Sequence, residues 1–370
     1  MGALSATSTC FDHVLSKVHD EEVDSAADIA LCKTLALLLM KYQFSQDTDQ
    51  KSATTCEMWK EIGLTCRTIE MIYRCSDTKL SESFHKRGSK LLPLLLTVIA
   101  YCLQRSHEES RLAQTDVSVS DISSNATYYW SMAIKASCMV IARFASDPTA
   151  LVPLAQHRVL LSTLKRVSIS TVVDDARFSA LWTISNLACA AENVVMIACH
   201  PGLVDGLVNT ALDDSSFEAR NHAMKAISNL AWMLENKILL SERPRLLDST
   251  VALIGSSVNK TRRHAAKALR FLSDTTAQEL VRLCQHGESI ILSTLLRRAS
   301  SDAYHFVREC AATAISNLVC EETAELMGRF PGLLQTLSKI TVMIKRGNAP
   351  TIAGEILCFL CEHITQDMQC

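Results

Sequence analysis

One pattern returns along this chain and limits what it can fold into. The stretch Arg177-Phe-Ser-Ala-Leu-Trp-Thr-Ile-Ser-Asn-Leu-Ala188 is answered by Arg220-Asn-His-Ala-Met-Lys-Ala-Ile-Ser-Asn-Leu-Ala231. Two more copies follow, Arg262-Arg-His-Ala-Ala-Lys-Ala-Leu-Arg-Phe-Leu-Ser273 and Arg308-Glu-Cys-Ala-Ala-Thr-Ala-Ile-Ser-Asn-Leu-Val319. The leading arginines stand at 177, 220, 262 and 308, so the copies step by 43, 42 and 46 residues. A unit of that length, repeated, marks a helical solenoid in which each unit completes its core only against its neighbours.

A second element recurs between the copies. It reads His157-Arg-Val-Leu-Leu161, His200-Pro-Gly-Leu-Val204, Arg243-Pro-Arg-Leu-Leu247, His286-Gly-Glu-Ser-Ile290 and Phe330-Pro-Gly-Leu-Leu334. Gly and Pro here predict the sharp corner that ends one short helix and starts the next. Each unit therefore holds a long helix, a short helix and a middle helix. Composition agrees: 48% of the 370 residues are hydrophobic, and Gly (11) and Pro (7) are sparse.

The flanks are less regular. Residues 1–22 are expected to fray, and 23–104 carry helices in the same order without the signature. Residues 105–126 are polar, include Val117-Ser-Val-Ser-Asp-Ile-Ser-Ser-Asn125, and are expected to form an inserted surface loop. The stretch 127–370 holds about five to six units, each close to the length of a solenoid repeat.

A long helix ending Ser-Asn-Leu-Ala, an Asn shortly after it (Asn193, Asn236), a Pro-Gly-Leu corner and this spacing together resemble armadillo repeats. The resemblance implies an all-α, right-handed superhelical solenoid of three-helix repeats whose long helices line a concave groove. At roughly 100° per residue, Ala180, Ile184 and Leu187 share one side, the core side. Ala223, Ala265, Ala311 and Ala353 take the place of Ala180 in the other copies.

The opposite row would form the groove floor. It runs Ala136, Met139, Arg143; Ser179, Trp182, Asn186; His222, Lys225, Asn229; His264, Lys267, Phe271; Cys310, Thr313, Asn317; Ile352, Glu355, Phe359. An amide carries a donor and an acceptor together and so matches one peptide unit. The resemblance implies that Asn186, Asn229 and Asn317 hold an extended chain in this way; the other reading is that they bond a neighbouring helix. Trp182-Thr-Ile-Ser-Asn186 also resembles the Trp-x-x-x-Asn motif of importin-α. That pair occurs once only. Lysines 225 and 267 replace the Trp in the next two copies, Phe271 and Phe359 replace Asn, and Lys260, Arg262 and Arg263 stand at the adjoining helix start.

A middle rich in His222, Lys225, His264 and Lys267 suits an acidic or phosphorylated peptide, closer in style to the face of β-catenin, and argues against a receptor for basic signals. Trp182, Phe271 and Phe359 would supply apolar anchors. The repeated Arg177, Arg220, Arg262 and Arg308 lie in first turns, a poor place for a cation. They are expected to pair with acids such as Asp174, Asp175, Asp213, Asp214 and Glu218 and to tie units together.

Other classes find little support. A net charge of −2 does not suit a general nucleic-acid binder. Fifteen cysteines, without the charged and apolar regions of a signal peptide at Met-Gly-Ala-Leu-Ser-Ala-Thr7, point to a reducing compartment, the cytoplasm and also the nucleus. The run from Leu91 to Leu103 is too short for a bilayer span, so no membrane partner is expected. No phosphate loop, metal spacing or catalytic constellation occurs, and Cys358-Phe-Leu-Cys361 has no strand–turn–helix context. The expectation is a protein-interaction scaffold with no enzymatic activity and no cofactor. The alternative is a structural subunit that uses convex or terminal surfaces, and a nucleic-acid platform is the weakest third.

Overall fold

The computed structural model describes residues 33–39, 41, 53–75, 89–113, 122–169, 173–342 and 348–367. The expected frayed start, residues 1–22, lies outside them. Within the helices expected over 23–104, residues 33–39 are helical and bury Leu35, Leu38 and Leu39. The described residues fall into α-helices with short links, in two compact units, Met1–Ala190 and Ala191–Cys370.

The first unit contains α1 (Ala53–Cys75), α2 (Ser89–Ala113), α3 (Ile122–Phe144), α4 (Leu151–Ala155), α5 (Leu160–Ser168) and α6 (Asp174–Leu187). Helices α1 and α3 pack along each other, with Trp59, Ile62, Cys66, Trp130, Ile134 and Ile141 in the core. Gly63 permits the close approach. A Cβ there would stand 2.7 Å from the carbonyl oxygen of Tyr129.

The expected loop over 105–126 is corrected on both sides. Helix α2 continues to Ala113 and α3 begins at Ile122, while residues 114–121 lie outside the described set. The reason is that the buried stripe of α2 does not stop at Gln104. Cys102, Leu103 and Ser106 stay buried, and the Leu, Gln, Arg and Glu that follow favour helix.

In the second unit the expected triplets are present. They are α7 (Ala191–Ala198), α8 (Leu203–Asp213) and α9 (Phe217–Leu230); α10 (Leu234–Ser241), α11 (Pro244–Ile254) and α12 (Asn259–Leu272); α13 (Ala277–Gln285), α14 (Ile290–Ser301) and α15 (His305–Leu318). Then come α16 (Glu321–Gly328), α17 (Leu333–Thr341) and α18 (Ala349–Asp367). The long helices α9, α12, α15 and α18 pack in sequence. Their Ala223, Ala265, Ala311 and Ala353 are all fully buried, and Ala180 holds the same place in the first unit. With only a methyl at the contact, helix axes can approach closely and the stack can repeat.

Corners and loops are satisfied by repeated devices. Gly202 and Gly332 adopt left-handed φ of 66° and 80° at the start of α8 and α17, where a Cβ would be strained. At the third corner Gly287 is followed by Glu288 and Ser289, at φ 55° and 67°. Asn236 donates from Nδ2 to the carbonyls of Leu230 (3.0 Å) and Val194 (3.3 Å), joining its helix to the preceding triplet. Thr323 holds the corresponding place in the last triplet and donates to the Leu318 carbonyl at 2.5 Å.

The first-turn arginines mostly bind the loop or first turn of their own helix, and Arg262 also reaches the following triplet. Arg177 pairs with Asp174 at 3.1 Å. Arg220 instead donates to the carbonyl of Asp214 (2.7 Å), and Arg308 to those of Asp302 and Ala303. Arg262 reaches furthest, donating from Nε to Asp302 Oδ2 at 2.9 Å in the following triplet and to the carbonyls of Ser256 and Ser257. The expected carboxylate partners for Arg220 are therefore replaced by loop carbonyls, because the first turn lies over the end of the preceding loop.

Candidate peptide-binding face

Each unit presents its own part of the predicted row. In the first unit Trp182 and Asn186 are half-buried on α6, as their register requires. The guanidinium of Arg143 lies 6.0 Å from the centroid of the Trp182 indole, and the Phe178 ring centroid lies 6.2 Å from it. Ala136 and Ser179, placed in the same row by periodicity, are fully buried. Ser179 turns its hydroxyl back to the carbonyl of Asp175 at 2.8 Å. Small side chains such as these are enclosed by the adjoining helices and do not reach the surface.

In the second unit α9 and α12 bring His222, Lys225, Asn229, His264, Lys267 and Phe271 onto one face. Five of these six are half-buried, and Asn229 is buried. The Nζ of Lys267 donates to Oδ1 of Asn229 at 3.1 Å and lies 5.5 Å from the centroid of Phe271. Arg270 approaches the same ring at 6.0 Å, and Arg263 lies 5.3 Å from the ring of Phe306 on α15. Such contacts fix long cationic side chains over apolar surface while their charged heads remain in water.

The two histidines change the electrostatic reading. Burial, then the cations Lys225 and Lys260, lower His222 to about 4. Burial, then Arg263, Lys225, Lys267 and the neighbouring His222, lower His264 to about 3. Both are therefore neutral at pH 7, and the positive charge of the row comes from lysine and arginine alone. His264 also leaves its Nδ1 buried without a hydrogen-bond partner.

Two of the asparagines bond a neighbouring helix. Asn317 donates from Nδ2 to the carbonyl of Arg270 (3.2 Å) and to Ser273 Oγ (3.4 Å), bridging α15 to α12. Asn229 accepts from Lys267 across the α9–α12 contact. For these two the bond to a neighbouring helix is present; Asn186 is half-buried on α6. Among the rest of the row, Cys310 is buried and burial raises its thiol, with Arg270 and Lys267 opposing; Thr313, Ile352 and Phe359 are half-buried and Glu355 is exposed.

Sequence reasoning missed Arg270 and Phe306. A signal existed for the first. Where the other signature copies read Ser-Asn-Leu, this one reads Arg270-Phe-Leu, and Ser185 and Ser228 at the same place are fully buried. A guanidinium cannot follow them inside, so Arg270 is exposed. No group of His, Cys, Asp or Glu able to hold a metal occurs among the described residues, and Cys358 and Cys361 are exposed on α18. No single helix among those residues is long and apolar enough to cross a membrane.

Solved structures share this architecture. A designed armadillo repeat protein in complex with the peptide (KR)4 is 21% identical, with a TM-score of 0.54 over 62% of this chain and 93% of its own. Computationally designed armadillo repeat proteins for modular peptide recognition give 17% identity and 0.53 over 78% and 99%. An engineered protein matches 96% of each chain at 15% identity and a TM-score of 0.54. No family model matches the sequence, and no curated protein does. The chain has the armadillo fold, an all-α solenoid of three-helix repeats.

Proposed function

We propose that this chain is a non-catalytic interaction scaffold whose second unit binds an extended, acidic or phosphorylated segment of a partner protein. One observation carries the reading. Lys225, Lys260, Arg263, Lys267 and Arg270 converge on one face of two adjacent long helices, beside the half-buried Phe271 and Phe306. Cations held over aromatic rings suit carboxylate and phosphate, and the rings suit an apolar anchor between them. Glu218 on the first turn of α9 acts on His222, and Glu309 on α15 acts on Cys310 together with Arg270 and Lys267; two acids do not balance five cations.

The designed neighbour solved with (KR)4 holds a peptide of the opposite sign. Fluorescence anisotropy with three labelled peptides tests the proposal: an Asp/Glu-rich sequence, its phosphoserine form, and (KR)4. The acidic peptides bind and (KR)4 does not; tighter binding of (KR)4 would overturn the sign of the reading. Ten free cysteines among the described residues suit a scaffold that works in the reducing cytoplasm or nucleus.

A second reading, a subunit that docks through another surface, draws on a separate observation. Trp232, Leu234 and Ile238 are apolar, exposed, and remote in register from the basic row.

A further inference from the structure

The short first helix of each triplet in the second unit turns one side outward, and the residues there can be aligned. On α7 they are Ala191, Glu192, Val195 and Met196; on α10, Leu234, Glu235, Ile238 and Leu239; on α13, Ala277, Gln278, Val281 and Arg282. Leu234 is 64% exposed and Ile238 44%, and Trp232, 51% exposed, stands in the turn that leads into α10. Helices α7, α10 and α13 contact one another in order. Val195 and Ile238, both exposed, and Val281, half-buried, thus hold one apolar register position on three successive helices.

The fold does not require this. On α16 the same places are Glu321, Glu322, Glu325 and Leu326, the three glutamates exposed. The first and third places, apolar on α7, α10 and α13, are therefore glutamates on α16, so the apolar pair is a property of the preceding copies, and exposed apolar surface of this kind marks an interaction site. The buried sides of the same helices already supply the core: Asn193, Val194 and Ile197 on α7, and Asn236, Lys237 and Leu240 on α10.

Charge identifies the occupant. Glu192, Glu235 and Glu242 are exposed beside these apolar positions, and no ion pair among the described residues engages them. The cations close by are already committed. Lys237 is buried and donates to Asp274 Oδ2 at 2.6 Å, and Arg282 donates to Glu279 at 2.8 Å. Apolar in the middle and acidic at its edge, the surface complements an amphipathic helix with Leu-type residues on one side and Lys or Arg flanking them. Its sign is opposite to that of the Lys225–Lys267 face.

We propose that the outward face of α7, α10 and α13 is a docking ridge for a basic amphipathic helix of a partner protein, separate from the peptide-binding row. The probe is a labelled peptide of about 18 residues with Leu at i, i+3, i+4 and i+7 and Lys elsewhere, beside a scrambled peptide of equal composition. The full chain binds the ordered peptide saturably and the scrambled one at least tenfold more weakly. Leu234→Ser/Ile238→Ser and, separately, Glu192→Lys/Glu235→Lys each weaken binding at least tenfold, with helical content unchanged by circular dichroism. Lys225→Glu/Lys267→Glu leaves it within twofold, so this result stands or falls apart from the row. Equal affinity for both peptides, or no loss in the ridge variants, overturns the proposal. So does a wild-type dimer in sedimentation that Leu234→Ser/Ile238→Ser dissolves, because the occupant is then a second copy of this chain.

Discussion

Lys267 and Asn229 meet across two consecutive long helices, with Nζ 3.1 Å from Oδ1. An amide that resemblance assigned to a ligand thus accepts a hydrogen bond from the side chain that replaces a groove tryptophan. Asn317 does the equivalent at the next junction, donating to the Arg270 carbonyl. Asn317→Ala and Asn229→Ala should each lower unfolding free energy by about 1 kcal/mol, the usual net worth of one hydrogen bond. Urea denaturation measures it; unchanged midpoints would return both amides to the ligand.

Asp302 is the most heavily engaged carboxylate of the second unit. It is 3% exposed, accepts from Arg262 (2.9 Å) and Arg298 (3.3 Å), and takes the backbone N–H of Tyr304 at 3.0 Å. Removing one partner of a buried pair leaves the other charge uncompensated. Asp302→Ala should cost about 3–5 kcal/mol in chemical denaturation, a loss well above that of the exposed pair Arg245–Asp213.

Folding should become less favourable as acid is added below neutrality. His222 and His264 titrate near 4 and 3 in the folded chain, against 6.5 when unperturbed. Between those values the unfolded chain binds protons that the folded chain does not, so stability rises with pH there. The contribution is complete above about pH 6.5 and falls as pH drops through that value toward 4 and 3. Thermal midpoints of wild type and His222→Gln/His264→Gln between pH 7.5 and 5 check this. The wild-type midpoint falls more steeply than that of the variant.

At Gly63 the α1–α3 contact has no room for a side chain, since a Cβ meets the Tyr129 carbonyl at 2.7 Å. Gly63→Ala gains helix propensity but forces two backbones apart. The expected net effect is a loss of about 1–3 kcal/mol, seen as a lower urea midpoint.

Much of the architecture was legible because one short-range rule repeats. The spacing of Ala180, Ile184 and Leu187 sets a helical core face, and its recurrence at Ala223, Ala265 and Ala311 sets the stack. Periodicity could not tell that Ser179 and Cys310 are buried, since a helix enclosed by neighbours has more than one inward side. It also stopped α2 short at Gln104, where polar residues continue the helix while Ser106 stays inside. The ionisation of His222 and His264 depends on charges from two helices some forty residues apart in sequence, which composition alone does not bring together. The Arg270-Phe271 exception was visible as a broken motif, but its effect on the face required the positions of both rings.

The most direct test is charge reversal on the basic row. The affinity of an Asp/Glu-rich phosphoserine peptide would be measured by anisotropy for wild type and for Lys225→Glu/Lys267→Glu, with helical content followed in parallel. The expected result is a loss of affinity of at least tenfold and a weaker salt dependence, with helical content retained. Equal affinity of a folded double variant would contradict the assignment of this face to an acidic segment.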